Sequence, residues 1–379
     1  MTPAPKPLYV PALRMKSGEL EGLLQLAEDV KEPTLPHLIV PPRGERDDEL
    51  QRALMETESV PGAGIVLARY WAGRRALLDL QYLFQDFGET GAGIWLPKAF
   101  ELARRERILA VPVASIADLT GARAQAYKDA VVGDPLRLAL RVASGELVEP
   151  SVADRLKQAL DRADVAPEQA AVLVDFTEAD FSQPELVSGV IEGALEYLEE
   201  IARWYAIVFQ GTSYPEANPA AHGGDELVPR NEWKAWSMAV QFGKDTGEHL
   251  VFGDYAADCA RMLFGKSGGR AIRHYRYTTP SDWFVVRGAE TGDDTTVMRE
   301  VCRRIVGSPH FAGRSFSAAD DFIHRTGEAF GGPGNSTNWR GINTGHHITR
   351  VVRDIGTVKG LQFGDRKVAP ATKQFEMFG

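Results

Sequence analysis

Asp79 is the first residue whose type and position indicate chemistry. It interrupts the apolar run Leu77-Leu-Asp-Leu80, which has the composition of a buried strand. Burying a carboxylate without a partner is costly, so Asp79 needs a cation beside it. Arg141 occupies a similar place in a later apolar run, and we expect the two side chains to pair.

Polar side chains also follow most of the other apolar runs. If these runs are strands of one parallel barrel, the residues at their carboxyl ends meet at one mouth, where a site can form. Carboxylates there can do acid–base chemistry or bind a metal ion, and arginines can hold a phosphate group. The candidate catalytic residues are Asp79, Asp175 and Asp254, and the candidate substrate-binding residues are Arg14, Lys16, Arg141 and Gln210. The alternative is that each charge only marks the point where a strand leaves the core.

A second cluster of candidate residues lies near the carboxyl terminus. Arg273-His-Tyr-Arg-Tyr-Thr278 alternates basic and aromatic residues, as in proteins that contact nucleotides or single-stranded nucleic acid. The same alternation is typical of a half-buried strand with its tyrosines inward, and this interpretation is favoured. Further candidate substrate-binding residues are Trp339, Arg340, His346 and His347. Adjacent histidines point apart on a helix or strand, so we expect no shared metal ion.

The elements that must position these residues follow a repeat. Eight short apolar runs occur between residues 8 and 255, about one every 31 residues, which is near the size of a β–α unit. Eight such units predict an α/β fold of the (β/α)8, or TIM-like, barrel type, with its site at the carboxyl ends of the strands. The runs are Leu8–Leu13, Leu38–Val40, Leu77–Tyr82, Ile108–Val113, Leu138–Val142, Ala171–Phe176, Tyr205–Phe209 and Leu250–Phe252.

The repeat ends near residue 262. We therefore predict two domains, a TIM-like barrel over residues 1–262 and a smaller basic α+β module over 263–379. Within the barrel we expect a helix over 45–58 and a long loop over 211–229, whose composition is rich in glycine and proline. In the module we expect a linker at 265–269, a hairpin of 272–278 with 283–287, and a helix over 296–306. A glycine-rich loop over 327–345 and a last helix over about 347–354 complete it.

The net charge also differs between the two predicted domains. The net charge is −9, but residues 265–379 contain 17 Lys and Arg against 11 Asp and Glu, which is +6. The first 264 residues contain 26 against 41, which is −15. The basic module suits a phosphate-bearing or acidic partner, or it packs against the acidic barrel.

Composition excludes several classes of protein. No apolar run approaches the roughly 18 residues of a membrane span, and the first residues lack the apolar core of a signal peptide. The two cysteines, Cys259 and Cys302, cannot build a disulfide framework, so we expect a cytoplasmic protein. Gly265-Lys-Ser267 lacks the upstream glycine and strand of a phosphate-binding loop, and no nucleophile elbow, H-E-x-x-H or C-x-x-C motif occurs. The sequence therefore names no cofactor.

Three segments resemble the phage beta protein family, whose members occur in phages and in some bacterial genomes. They are Tyr9-Val-Pro-Ala-Leu-Arg-Met-Lys-Ser-Gly-Glu19, Arg276-Tyr-Thr-Thr-Pro-Ser-Asp-Trp-Phe-Val-Val-Arg-Gly288 and Trp339-Arg-Gly-Ile-Asn-Thr-Gly-His-His-Ile348. The resemblance spans nearly the whole chain and brings no activity with it. The family's scattered distribution implies a role in conflict between phage and host, on either side.

Two hypotheses of function remain. In the first, the protein is a binding or scaffold subunit of a phage-defence or phage-encoded assembly and contacts a partner protein or nucleic acid. In the second, it is a barrel enzyme of hydrolase or phosphodiesterase type that acts on a phosphorylated or nucleotide-like substrate. The absence of a strong catalytic motif favours the first, and the frequency of enzymes among TIM barrels favours the second.

Overall fold

A computed structural model describes residues 6–43, 45, 60–133, 135–177, 179–242, 249–261 and 273–361. The helix predicted over 45–58, apart from Glu45, and the linker predicted over 265–269 lie outside the described residues.

The barrel predicted from the repeat is confirmed. Its eight described parallel strands pair in the order in which they follow one another along the chain. The first and last strands then meet, because the Val10 amide donates to the Phe252 carbonyl (2.9 Å) and the Ala12 amide to the Asp254 carbonyl (2.7 Å). The strands are β1 (Ala12–Arg14), β2 (His37–Ile39), β3 (Arg75–Asp79), β4 (Leu109–Ser115), β5 (Leu138–Ala143), β6 (Ala170–Asp175), β7 (Ala206–Gln210) and β9 (Leu250–Gly253).

The strands are continuous apolar runs because both of their faces are buried. In β6, Ala171 and Leu173 belong to the packed interior of the barrel, whereas Val172 and Val174 belong to the layer beneath the helices. Side chains alternate along a strand, so each polar residue near a strand end points either towards the barrel interior or towards the surrounding helices. Asp79 and Asp175 end their strands and Arg141 lies near the end of β5, and in each case the residue two positions earlier faces the interior, so these three side chains point into the mouth.

Helices surround the barrel. The described part of the chain also contains three 3-10 turns, Gln81–Leu83, Ser144–Val148 and Pro167–Gln169. The α-helices of the described residues are α1 (Ser17–Leu24), α2 (Glu28–Lys31), α3 (Ala63–Trp71), α4 (Phe84–Phe87), α5 (Ala92–Arg105), α6 (Ile116–Thr120), α7 (Ala124–Ala130), α8 (Val152–Ala163), α9 (Pro184–Ile201), α10 (Asn231–Phe242), α11 (Asp294–Val306), α12 (Ala318–Gly327) and α13 (Ser336–Val358).

Helix α13 corrects the loop predicted over 327–345. The Asn335 side chain caps its first turn by accepting from the Thr337 and Asn338 amides (3.0 and 3.2 Å). The glycines of α13 do not end the helix. They lack a side chain, and this lets α13 pack closely against α1. A methyl group on Gly22 of α1 would lie 2.9 Å from the Gly341 carbonyl oxygen. The glycines that suggested a loop are therefore used for close packing.

A three-stranded antiparallel sheet stands at the carboxyl end of the barrel. It pairs β10 (His274–Thr278) with β11 (Asp282–Arg287), as the hairpin prediction required, and β11 with β8 (Asp225–Pro229). β8 corrects part of the loop predicted over 211–229. Its residues are mostly exposed, so it lacks the apolar run that identifies a buried strand.

The two predicted domains are closely joined. β8 precedes residue 262 and pairs with β11, which follows it. Likewise, Ile348, Val351 and Val352 of α13 belong to the same apolar core as the barrel strands. The loops after β7 and β9 thus carry the second sheet, and α13 supplies the helix that follows the last barrel strand.

Candidate functional site

Asp79 lies buried at the carboxyl end of β3, in an ion pair with Arg141 of β5. The expected pairing is therefore confirmed. Asp79 also accepts from Gln81, through the backbone amide (3.0 Å) and the side-chain amide (3.1 Å). His37 lies beside it, with Nε2 3.4 Å from Asp79 Oδ2 and Nδ1 3.2 Å from Gln210 Oε1. Both oxygens of the Asp79 carboxylate are thus engaged.

The charges of this group stabilise one another. Burial alone would raise the pKa of Asp79, but the Arg141 guanidinium and the His37 hydrogen bond outweigh it and lower that pKa. Burial opposes the charge of Arg141 as well, yet Asp79 and the nearby Asp118 keep its pKa above the usual value. An ionised carboxylate held by a guanidinium is a stable pair and a poor proton acceptor.

Asp175, at the end of β6, faces the same mouth. Its Oδ1 accepts from the Thr177 amide (2.8 Å) and the Thr177 hydroxyl, and Oδ2 accepts no hydrogen bond within the described part of the chain. The Thr177 hydroxyl lies 2.8 Å from the Tyr255 hydroxyl. Burial raises the pKa of both Tyr255 and Tyr82, and the charges of Asp175 and Arg141 act on both, so these groups are neighbours.

Asp254 does not join the other two candidate carboxylates. It follows β9, but its side chain accepts from the Tyr9 hydroxyl and lies 2.8 Å from Nε2 of His347 in α13. Tyr9 belongs to the layer between barrel and helices, so Asp254 faces outward while Asp79 and Asp175 face the mouth. The three-carboxylate site expected for an enzyme is not assembled.

His346 and His347 are buried in two parallel networks. The Thr278 hydroxyl lies 2.8 Å from His347 Nδ1, and the Thr278 carbonyl oxygen lies 2.8 Å from His346 Nε2. The other ring nitrogen of His346 lies 3.0 Å from Asp320 of α12. The adjacent histidines thus point apart and tie β10 and α12 to the barrel.

Three of the expected substrate-binding residues are enclosed. Trp339 is buried and donates its indole N–H to the Pro333 carbonyl (2.7 Å), and His346 and His347 are fully buried. Contact with a ligand from solvent does not fit these positions, because their polar atoms are already bonded within the core. Lys16 is half-buried and pairs with Glu45 (3.1 Å).

Arginines from three separate elements converge on Asp258, in the loop after β9. Arg14 of β1 lies 2.9 Å from Asp258 Oδ2, Arg276 of β10 lies 2.6 Å from Oδ1, and Arg340 of α13 lies 3.4 Å from Oδ2. Arg340 also pairs with Glu19 of α1 (3.0 Å). The arginine cluster, Arg14, Arg276 and Arg340, joins the barrel to the second sheet at the mouth.

The arginine cluster has more positive than negative charge. Among the described residues, three guanidinium groups face two carboxylates, Asp258 and Glu19, which leaves one positive charge in excess there. Burial would raise the pKa of Asp258, but Arg276, Arg14 and Arg340 hold it well below the usual value. Burial raises the pKa of Glu19, which the charges of Arg340 and Arg14 only partly offset. A site of this kind favours a further anion.

The loop that carries Asp258 has an unusual backbone. Ala256 (φ 47°) and Ala257 (φ 61°) are both left-handed, a conformation that costs about 1–2 kcal/mol for each residue with a Cβ. The Ala256 amide donates to Asp254 (2.9 Å), and Arg276 donates to the Ala257 carbonyl (2.6 Å). Strained residues held by their surroundings are typical of functional sites.

Several residues of the mouth were not among the candidate site residues predicted from the sequence. Asp258 and Tyr255 follow the last apolar run by a few positions, and no spacing connects them with Arg14 or with Arg276. Arg276 lies in the alternating segment 273–278, whose inward tyrosines and outward arginine match the observed strand. The alternating pattern therefore identified Arg276 as an outward-facing residue, but nothing in the sequence identified Asp258 as its partner.

No helix of the described residues is long and apolar enough to cross a membrane. In that same part of the chain, no group of three or more histidine, cysteine or acidic side chains is placed to hold a metal ion.

The chain was compared with models of protein families. The family model described as Beta protein matches residues 9–353. A comparison with curated proteins finds no match. Since the matched segment includes all eight strands of the barrel, the second sheet and most of α13, the chain belongs to the Beta protein family.

Proposed function

We propose that this protein is a binding protein whose barrel mouth takes the phosphate group of a nucleotide-like ligand. The observation that carries the proposal is the arginine cluster, in which three mostly buried guanidinium groups face two carboxylates among the residues that the structure describes. Nε and Nη2 of Arg340 make no hydrogen bond within the described residues, and the side chain is 37% exposed. Guanidinium groups suit phosphate because their planar donors match its oxygens in geometry and charge.

The geometry favours one phosphate group over a nucleic-acid strand. The side chains of Arg14 and Arg276 are only 9% and 20% exposed, so the cluster offers few donors to solvent. Proteins that bind single strands need a basic groove along several nucleotides, with aromatic faces on which the bases stack. A compact, half-buried cluster suits a terminal phosphate.

A second candidate function is hydrolysis of such a ligand. It is supported by Asp175, which keeps one oxygen without a hydrogen bond in the described part of the chain and lies close to Arg141 and Tyr255. A carboxylate with a free oxygen can act as a general base on water. Against it stands the separation of Asp254 from Asp79 and Asp175, so binding is the function we place first.

Isothermal titration calorimetry tests the binding proposal directly. The probes are adenosine triphosphate, inorganic pyrophosphate and a short single-stranded oligonucleotide. We expect the triphosphate to bind, and Arg340→Gln to weaken it about tenfold or more, since a charge-assisted hydrogen bond contributes about 1.5–3 kcal/mol. Arg353→Gln is the matched control, because Arg353 lies on the same helix in an ion pair with Asp29 (2.7 Å), about 20 Å further along the axis.

The outcomes separate the alternatives. Equal binding by wild type and Arg340→Gln would show that the cluster is not the site. Preference for the oligonucleotide would favour nucleic acid as the partner, and release of inorganic phosphate that Asp175→Asn abolishes would establish the enzyme.

The wider role that we propose is a cytoplasmic one, in an assembly of phage–host conflict. Its support is the family membership together with the basic charge of the carboxyl-terminal third, which suits an acidic partner protein as well as a nucleotide. Co-purification from the native host, followed by mass spectrometry, identifies bound partners and small molecules together. A preparation that carries neither at cellular concentrations would refute this role.

A further inference from the structure

Asp258 occupies the position where an external anion would bind. Its two oxygens accept from guanidinium groups of three different elements, at 2.6, 2.9 and 3.4 Å. A phosphate oxygen needs the same charge-assisted donors as a carboxylate oxygen, and a phosphate carries more negative charge. The carboxylate of Asp258 and a phosphate therefore compete for the same donors.

The backbone of the loop around Asp258 is strained. Ala256 and Ala257 are left-handed, and no glycine relieves them. The loop is fixed by contacts that themselves involve the arginine cluster: Arg276 donates to the Ala257 carbonyl (2.6 Å), and Arg14 donates to the Cys259 carbonyl (3.1 Å). If the arginines turn to another anion, these contacts weaken together, and the backbone can relax.

We infer that Asp258 is a built-in competitor of the ligand, which fills the arginine cluster when the site is empty and is displaced when a phosphate group binds. This inference rests on the proposed function of the same cluster. It adds that affinity is set by exchange between two anions, and that the strained loop favours the displaced state. The neighbouring Glu19 remains as the second carboxylate of the cluster after the exchange.

The decisive variant is Asp258→Asn, which keeps the shape of the side chain and removes its charge. Adenosine triphosphate, measured by calorimetry at one ionic strength, should bind Asp258→Asn about tenfold more tightly than wild type. Asp354→Asn is the matched control. Asp354 is as buried as Asp258 (12% against 14% exposed) and also pairs with two arginines, Arg230 and Arg350, but it lies on α13 away from the mouth. Its replacement should leave the affinity unchanged.

A second variant tests the strain independently. Ala257→Gly removes the Cβ that disfavours the left-handed backbone, so it stabilises the loop with Asp258 in place. We expect a higher midpoint of urea unfolding and affinity for adenosine triphosphate reduced a few-fold. This measurement also decides the question if Asp258→Asn fails to fold.

Each outcome has a distinct meaning. If wild type binds and Asp258→Asn binds equally or more weakly, Asp258 only positions the arginines, and the inference is refuted while the proposed function stands. Unchanged or tighter binding by Ala257→Gly refutes the contribution of strain and, if Asp258→Asn does not fold, the inference as a whole. If neither wild type nor Asp258→Asn binds any of the phosphate probes, both the proposed function and this inference fail.

Discussion

Replacing Glu232 by glutamine should make the protein more stable at alkaline pH. Glu232 lies in the first turn of α10 and is fully buried. Its Oε2 accepts from the Ser213 hydroxyl (2.6 Å) and the Ser213 amide (3.2 Å), and its Oε1 has no partner in the described part of the chain. Burial raises the pKa of Glu232 to about 7, although Arg230 and Ser213 oppose the rise.

The size of the effect follows from the difference between folded and unfolded states. An unfolded glutamate titrates near 4.5, so the pKa is about 2.5 units higher in the folded protein. At about 1.4 kcal/mol per unit, Glu232 contributes about 3.5 kcal/mol. Because the folded pKa is the higher one, this contribution is complete below about pH 4.5 and is lost as the pH rises through about 7.

Urea denaturation at pH 5, 7 and 9 measures this contribution of Glu232 to the free energy of unfolding. The free energy of unfolding of wild type should fall relative to that of Glu232→Gln by about 3 kcal/mol from the lowest to the highest pH. The amide oxygen of the variant can still accept from Ser213, so the fold is kept. Glu226 is exposed in β8, so the free energy of unfolding of Glu226→Gln should change with pH as that of wild type does. The same change with pH in Glu232→Gln would refute the reasoning.

Three further predictions concern the barrel and its contact with α13. Asp79→Asn should lower the free energy of unfolding by about 3 kcal/mol, because the largely buried Arg141 guanidinium loses its counter-charge. A loss below about 1 kcal/mol in urea denaturation would contradict the strength of that pair. His347→Gln should remove part of the acid sensitivity of folding. Burial keeps the folded pKa of that histidine below its usual value, so protonation of the unfolded chain costs stability as the pH falls below about 6.5, and unfolding midpoints at pH 7 and 5 would show it. Gly22→Ala should cost about 1–3 kcal/mol because its methyl group would lie 2.8 Å from a side chain of α13, whereas Gly93→Ala meets open space and should not destabilise; thermal melts that do not differ would contradict the close packing.

The repeat of apolar runs was enough to predict the barrel. Each run is buried on both faces, so composition alone identifies it, and the spacing fixes the number of units. The pairing of Asp79 with Arg141 followed from the cost of an unpaired buried charge. The barrel and this ion pair are predictable because they depend only on local sequence and on a fold in which strand ends meet.

The rest of the site depends on contacts that no local pattern records. β8 is exposed and polar, so only its pairing with β11 makes it a strand. Glycines at 341 and 345 suggested a loop, but they allow α13 to approach α1. Asp258 and Arg340 are 82 residues apart and meet only because α13 returns to the barrel after the second sheet. Asp254 ended an apolar run as expected, but the alternation of side chains turned it away from the mouth.

A crystal structure of the protein grown with adenosine triphosphate shows directly whether the arginine cluster binds a phosphate group. We expect electron density for a phosphate group within hydrogen-bonding distance of Arg276 and Arg340, with the Asp258 carboxylate moved away from both. Phosphate density elsewhere on the protein, with Asp258 still bonded to the arginine cluster, would contradict this expectation.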